Sequence, residues 1–195
     1  MTETLVADSI ELLKELIVIP SLSKEESWTA LVLEQFLQQR KVSTHRKANN
    51  VWAYNKYYDS DKPTILLNSH HDTVKPNSGY LRNPFAADVE DSKLYGLGSN
   101  DAGGCLVSLT ATFLHFYDQK DLKYNLCLAL TAEEEISGVN GIESIIPDLG
   151  QLDFAIVGEP TLMNLAIAEK GLMVLDCFSS GKAGHAAREE GDNAI

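Results

Sequence analysis

Cysteine is scarce in this sequence. Its three cysteines, Cys105, Cys127 and Cys177, include no C-x-x-C pair. An odd number without paired spacing predicts neither a disulfide framework nor a thiolate zinc site. We therefore expect the protein to work in a reducing cytoplasm.

Positive charge and long apolar runs are also scarce. Lys and Arg number 16 against 28 Asp and Glu, for a formal net charge of -12 at pH 7. Because a nucleic-acid partner requires a basic surface against its phosphates, we expect no nucleic-acid binding. The segment from Met1 to Asp8 has no basic residue, and the apolar pair Leu12-Leu13 is followed at once by Lys14-Glu15. These features predict neither a signal peptide nor a membrane span.

Two motifs of other protein classes are missing. No G-x-S-x-G sequence occurs, which disfavours a serine hydrolase. Gly96-Leu97-Gly98 begins a G-x-G pattern, but the third glycine position is Asp101, whose charge would face a bound pyrophosphate. A dinucleotide-binding loop is therefore not expected here.

The apolar pattern predicts alternating helices and strands. The first helix, which should stop near Pro20, is predicted by apolar residues at helical spacing, namely Leu5, Ile10, Leu13, Leu16 and Ile17. Ser23-Lys24-Glu25-Glu26 has the pattern of a capping box and predicts a second helix. The remaining pattern predicts strands at 51–54, 64–68, 126–130 and 154–157, a hairpin at 87–95, and helices at about 103–117 and 142–146.

This succession favours an α/β fold in which helices flank a largely parallel sheet on both faces. We assign residues 1–171 to this domain. The apolar segment 172–178 and the polar loop after it predict the opening strand of another unit, to which we assign residues 172–195.

Polar residues follow three of the predicted strands. These residues are His70-His71-Asp72, Glu133-Glu134-Glu135 and Gly158-Glu159-Pro160. In parallel α/β sheets, ligands bind beyond the carboxyl ends of the strands. Consecutive carboxylates repel one another unless a cation stabilises their ionised form. The pattern therefore predicts a metal site at this edge of the sheet, used for hydrolysis.

Each candidate residue also has a simpler interpretation. His70 and Asp72 are two apart in an extended segment, so Asp72 could accept the second ring N–H of a metal-bound His70. A polar strand end would look the same. Asp101 opens a helix, where capping is the commonest role of Asp, and Glu159 could be a solvated loop acid.

Taken together, the motifs resemble those of the M20 family of dinuclear metallohydrolases in order and spacing, with Gly98-Ser99-Asn100-Asp101 as the fourth motif. The resemblance implies a zinc-peptidase-like catalytic domain with an inserted α+β lid and dimerisation domain. It also implies that His70 and Glu159 hold one divalent metal ion, that Glu135 holds a second, and that Asp101 bridges both. Zinc is expected, with cobalt as the alternative.

The same resemblance implies roles for three further residues. Asp72 would orient His70, and Glu134 would be the general base. His185, in Gly184-His185-Ala186-Ala187, would reach the active site of the other subunit of a homodimer and stabilise the oxyanion. The role of Glu134 agrees with general chemistry, since a general base must lie near the metal ions without being a ligand.

The sequence departs from the family pattern at two points. The family often has Lys two residues after the bridging acid, where this chain has Gly103. The last histidine ligand of the family would lie beyond Ile195, together with most of the lid domain. We therefore expect the sequence to be the front portion of a longer enzyme.

The leading functional hypothesis is a metal-dependent amidohydrolase that removes an acyl group from an N-acyl amino acid. The enzyme would be most like acetylornithine deacetylase and its close relatives, which include succinyl-diaminopimelate desuccinylase, in arginine or lysine biosynthesis. A dipeptidase or aminopeptidase of the same family is the first alternative. An inactive metal-binding homologue is the second, which the intact pair Glu134 and Glu135 disfavours.

Overall fold

The computed structural model describes residues 2–184 apart from 169, 172, 174, 176 and 183. The chain divides into two compact units, 1–162 and 163–195. All helices and strands assigned to the described residues lie in the first unit. The strand predicted at 172–178 falls partly outside the described residues, and the described ones in that stretch are not in a strand. The expected domain boundary after Gly171 stays a prediction.

Two amphipathic helices open the chain. Helix α1 spans Glu3–Ile17, and the Thr2 side chain accepts a hydrogen bond from the Leu5 N–H at its amino end. It buries the face formed by Leu12, Leu13, Leu16 and Ile17, whereas Ile10 is exposed. Helix α2 spans Ser27–Gln39. The predicted capping box is wrong: Glu26 is the N-cap residue without a side-chain cap, and the Ser23 hydroxyl bonds to Asp72 instead.

The other predicted elements occur in the predicted order, and the strand at 44–47 is an additional one that the sequence pattern did not predict. The strands are β1 (Thr44–Lys47), β2 (Asn50–Tyr54), β3 (Thr64–His70), β4 (Asp88–Glu90), β5 (Lys93–Tyr95), β6 (Asn125–Thr131) and β7 (Phe154–Val157). The later helices are α3 (Cys105–Phe116) and α4 (Ile142–Ile145), with a π-helical turn at Ser99–Gly104 and 3-10 turns at Glu134–Ile136 and Ile146–Asp148. Strands β4 and β5 form the predicted hairpin.

Five strands form one sheet in the order β1-β2-β6-β3-β7. Strand β3 lies between β6 and β7 and is parallel to both. Strand β2 is antiparallel to its two neighbours, so the other four strands all point the same way. The predicted largely parallel sheet is confirmed, and the carboxyl ends of β3, β6 and β7 meet at one edge.

Apolar side chains of β2, β3 and β6 are packed on both faces of this sheet, whereas the edge strand β7 is exposed. One face carries Val51, Ala53, Leu67, Leu126, Leu128 and Leu130, packed with buried residues of α1, α2 and α3. The alternate residues Trp52, Leu66, Cys127 and Ala129 pack on the opposite face with Ile145 of α4 and with Leu149. This alternation is the pattern expected of strands buried on both faces. Within the described residues, no helix has the length and apolarity needed to cross a membrane.

Candidate metal centre

His70 lies at the carboxyl end of β3 with a side chain that is 1% exposed. Its Nδ1 is 3.0 Å from the backbone carbonyl oxygen of Asp72 and 3.3 Å from Oδ1 of the same residue. Because these partners are acceptors, Nδ1 is protonated, and Nε2 faces the open side of the site. A metal-binding Nε2 requires this proton on Nδ1, since a bound ion would take the place of any proton on Nε2.

Three carboxylates surround Nε2 of His70. Asp101 Oδ1 lies 3.2 Å away, and oxygens of Glu134 and Glu159 each lie 3.8 Å away. Ligand atoms of His70, Asp101 and Glu159 all fall within 4.8 Å of one another. The structure therefore brings together three of the four predicted metal ligands, with the predicted base beside them.

The strand register explains why His70 and Glu159 meet. Asn68 pairs with Val157 in the parallel β3–β7 ladder, and the Gly158 N–H continues the pairing by donating to the Asn68 carbonyl over 2.8 Å. The Ser69 hydroxyl donates to the Gly158 carbonyl over 2.9 Å. Hydrogen bonds of Gly158 with Asn68 and Ser69 thus place Glu159 beside His70.

Asp101 reaches the site from the turn that opens α3. Gly98 has φ +73, and the Gly103 N–H donates to the Gly98 carbonyl over 2.8 Å across this turn. A Cβ at Gly103 would lie 2.5 Å from the Gly98 carbonyl oxygen and 2.6 Å from Leu13 Cδ1. A side chain at position 103 would therefore require this turn to shift.

Asp72 is fully buried and joins His70 to the acidic loop after β6. Its Oδ1 accepts a hydrogen bond from the Glu134 N–H, at 3.0 Å, and Oδ2 accepts one from the Glu135 N–H, at 3.1 Å. The Ser23 hydroxyl donates to Oδ2 over 2.7 Å. This contact of Ser23 is not predictable from the sequence, in which Ser23 and Glu26 have the spacing of a helix cap.

The three glutamates after β6 point in different directions. Glu133 is 5% exposed, and its Oε1 accepts from Asn140 Nδ2 over 2.9 Å. Glu134 turns towards His70 with a side chain that is 54% exposed. Among the described residues, Glu135 is outside the three-residue metal group, although its carboxylate interacts electrostatically with Asp101.

His71 has no direct access to the site. It is 6% exposed, its Nε2 donates to the Asn49 carbonyl over 2.9 Å, and its Nδ1 lies 2.9 Å from the Thr29 hydroxyl. Burial lowers the pKa of His71 to about 4, against the smaller raising effects of Asn49 and Asp72. The residue is a neutral, buried link between β3 and α2 that the sequence did not distinguish from its neighbour.

Mutual repulsion makes this site suited to a cation. Burial raises the pKa of both Glu159 and Glu135, and neighbouring carboxylates raise it further against the lowering effect of His70. Burial lowers the pKa of His70, but Asp72, Glu159 and Glu134 outweigh it and raise the value to about 9. Burial also opposes ionisation of Asp72, yet hydrogen bonds from His70, Ser23 and two backbone amides lower its pKa.

The donor set fits a divalent ion of the zinc type. One imidazole nitrogen and several carboxylate oxygens are the ligands that zinc and cobalt accept in hydrolytic sites. A bound cation would relieve the repulsion among the carboxylates. His185 lies outside the described residues, so its assigned role stays a prediction.

Comparison with known proteins identifies the family. Residues 66–178 match the model of peptidase family M20/M25/M40. The chain belongs to this family. The matched segment contains His70, Asp101, Glu134, Glu135 and Glu159. The family resemblance inferred from the four motifs is confirmed, as is the catalytic-domain fold that it implied.

The curated relatives of this M20 chain include succinyl-diaminopimelate desuccinylases. That of Beijerinckia indica is 30% identical over 208 residues, which cover 96% of this chain and 52% of the relative. That of Blochmanniella floridana is 30% identical over 175 residues, which cover 82% of this chain and 45% of the relative. The chain thus spans about half the length of these relatives.

Solved M20 structures have the same fold. The metallo-carboxypeptidase Sso-CP2 of Sulfolobus solfataricus matches with a TM-score of 0.63 and 27% identity, covering 81% of this chain and 37% of that one. The YxeP protein of Bacillus subtilis, a dinuclear metal-binding peptidase of the M20 family, matches with a TM-score of 0.60 and 16% identity. The match covers 80% of this chain and 43% of YxeP. The second likeness is one of fold alone.

Proposed function

We propose that this chain forms the metal-binding part of an amidohydrolase that removes an acyl group from an N-acyl amino acid. The observation that carries the proposal is the placement of His70, Asp101 and Glu159 within one ligand group, with the Glu134 carboxylate 3.8 Å from the same imidazole. Ligands and base thus share one edge of the sheet. The M20 membership of the chain supports amide hydrolysis as the reaction.

The chain's own side chains would hold two divalent ions. His70 and Glu159 would hold one, Glu135 the other, and Asp101 both, with zinc preferred and cobalt as the alternative. Metal ions at these ligands would polarise the amide carbonyl and favour deprotonation of the attacking water. Asp72 keeps the proton on Nδ1 of His70 and so leaves Nε2 free for coordination.

Glu134 would move the proton. Its backbone N–H is fixed by Asp72, while its carboxylate remains accessible to solvent and substrate. Oε2 can take a proton from the attacking water and deliver it to the leaving amine nitrogen, which balances the hydrolysis. Glu133 cannot share this task, because its carboxylate is buried against Asn140.

The remaining parts of the mechanism rest on the family resemblance. His185 would stabilise the oxyanion from the partner subunit of a homodimer. The names of the relatives favour succinyl-diaminopimelate, in lysine biosynthesis, over the acetylornithine expected from the sequence. We propose an N-succinyl or N-acetyl diamino acid as the substrate class, and the cytoplasm as its location.

Peptide hydrolysis is the second candidate. It is favoured by the 27% identity to the metallo-carboxypeptidase of Sulfolobus solfataricus. An assay of the full-length protein, loaded with zinc or cobalt, against succinyl-diaminopimelate, acetylornithine and dipeptides would separate the two. Preferential release of succinate or acetate supports the proposal, and preferential cleavage of dipeptides supports the alternative.

A further inference from the structure

The chain beyond β6 is held by side chains instead of by a neighbouring strand. Strand β6 ends at Thr131, and the four amides that follow find other partners, in hydrogen bonds that are buried or partly buried. Asn50 Oδ1 accepts from the Ala132 N–H over 3.0 Å, and Glu26 Oε1 accepts from the Glu133 N–H over 3.2 Å. Asp72 accepts from the next two amides. Four consecutive backbone positions are therefore fixed from outside.

Glu26 is the least expected of these acceptors. Its side chain is fully buried, 107 positions away in sequence from the amide that it holds. Oε1 also accepts from the Lys24 N–H over 2.7 Å, and Oε2 accepts from Asn49 Nδ2 over 2.8 Å. A buried carboxylate is retained only where several donors stabilise it, and here all the donors hold loops around the metal centre.

Asn49 extends this contact to the histidine segment. Its side chain donates to Glu26, while its backbone carbonyl accepts from His71 Nε2 over 2.9 Å. One buried carboxylate is thereby connected to the segment that carries His70 and to the segment that carries Glu134 and Glu135.

We propose that Glu26 is a positioning residue that fixes Glu134 and Glu135 relative to His70. Glu133 has φ +55, and its own side chain is turned towards Asn140, so the backbone reverses at this point. Glu26 accepts from the Glu133 N–H, and Asp72 accepts from the two amides that follow. These bonds fix the backbone from which the side chains of Glu134 and Glu135 extend. The catalytic consequence rests on the proposed function, whereas the positioning itself does not.

Hydrogen–deuterium exchange of this chain tests the positioning directly. In Glu26→Ala, the amides at 133–135 should exchange roughly 10- to 100-fold faster, the effect of losing a hydrogen bond to a charged acceptor. Amides in α3 and in the middle of β6 should change much less. Glu25→Ala, which removes the exposed acid next to Glu26, is the matched control and should leave all these rates unchanged.

Two further variants separate positioning from general stability. Glu26→Gln keeps an acceptor oxygen for the Glu133 N–H and should retain most of the protection. Glu26→Asp keeps the charge but shortens the side chain by one methylene, so it should lose protection at 133–135. If Glu26→Ala does not fold, the difference in exchange between Glu26→Gln and Glu26→Asp tests the proposal. Unchanged exchange at 133–135 in Glu26→Asp, or exchange that is equally accelerated throughout the chain, would overturn the proposal.

Turnover of the full-length protein tests the consequence. Glu26→Ala should lower kcat by roughly 100-fold with a smaller change in KM, as expected when a base is misplaced by about 1 Å. An unchanged kcat would show that Glu26 does not position the base. Absence of turnover in the unsubstituted protein would instead count against the proposed function and leave the exchange result to decide on Glu26.

Discussion

The Ser23 hydroxyl donates a 2.7 Å hydrogen bond to Oδ2 of Asp72 and thereby ties the loop before α2 to the end of β3. The same loop is held by the backbone, because the Thr73 N–H donates to the Ser21 carbonyl over 2.9 Å. Ser23 is therefore placed firmly, and its bond fixes the carboxylate that orients His70.

Ser23→Ala should weaken zinc binding by this chain about tenfold, since partners of this kind orient a metal-binding histidine. The free energy of unfolding should fall by about 1–2 kcal/mol because Asp72 loses a donor. Zinc titration and urea unfolding would measure the two effects. Ser43→Ala, at an exposed position before β1, is the control and should change neither. Equal zinc affinity in the two variants would show that Ser23 does not contribute to metal binding.

Glu134 and Glu135 are adjacent, but their substitution should affect different properties, turnover for Glu134 and metal retention for Glu135. Glu134→Ala in the full-length protein should retain both metal ions and lose at least about 100-fold in kcat, because only the proton acceptor is removed. Glu135→Ala should lose metal first. Metal content after dialysis, measured beside turnover, distinguishes the two. Equal loss of metal in both variants would show that the roles assigned here are wrong.

The sequence predicted the strands that carry the site because each is a short apolar run with polar residues after it. Since β3, β6 and β7 are parallel, the residues after them meet at one edge, where His70 and Glu159 lie close together. The polar contacts behind them were not predictable in this way. Glu26 and the Glu133 N–H are 107 positions apart, and no local pattern connects them.

The capping box shows how a local pattern can mislead. Ser23 and Glu26 have the spacing of a cap, yet each side chain binds a partner from another part of the chain. A buried long-range acceptor or donor competes with a helix amide for the same hydroxyl or carboxylate, and here the long-range partner is preferred. His71 was equally hidden, because it differs from His70 in its hydrogen-bond partners, Thr29 and Asn49, which no local pattern shows.

Gly103 should be intolerant of any side chain. Gly103→Ala would place Cβ 2.5 Å from the Gly98 carbonyl oxygen, so the turn that carries Asp101 must shift. We expect a loss of about 1–3 kcal/mol in the free energy of unfolding, the usual cost of overpacking. Urea unfolding measures it. Gly171→Ala, whose Cβ would meet nothing within 4 Å, is the control, and equal stability of the two variants would contradict the steric argument.

Cys127 should make the folded chain sensitive to alkali. Burial raises the pKa of its thiol from 9.0 to about 12, with a smaller lowering effect from Tyr54. Below pH 9 the Cys127 thiol is protonated in both the folded and the unfolded chain, and the free energy of unfolding does not depend on its ionisation. Between pH 9 and about 12 the thiol ionises first in the unfolded chain, so the folded chain loses stability as the pH rises. The free energy of unfolding should fall there by up to about 1.4 kcal/mol per pH unit more than in Cys127→Ala. Identical slopes with and without Cys127 would contradict the prediction.

The last prediction concerns the 195-residue chain itself, which contains four of the metal ligands expected from the family. His70, Asp101 and Glu159 already lie within 4.8 Å of one another, whereas Glu135 is outside that group. The first ion should therefore bind more tightly than the second. Catalysis requires both ions, the oxyanion group and a closed pocket together, and such parts do not act additively.

We therefore expect this chain to retain at most about one zinc ion after dialysis and to hydrolyse no acylated amino acid detectably, since the two-metal reaction requires both ions. Metal analysis and a deacylation assay on the same sample measure both quantities. His70→Ala should abolish the retained zinc, while the Glu135→Ala chain should keep it. Robust turnover by the 195-residue chain with a single retained ion would show that a second tightly bound ion is dispensable, and the two-metal mechanism would then have to be abandoned.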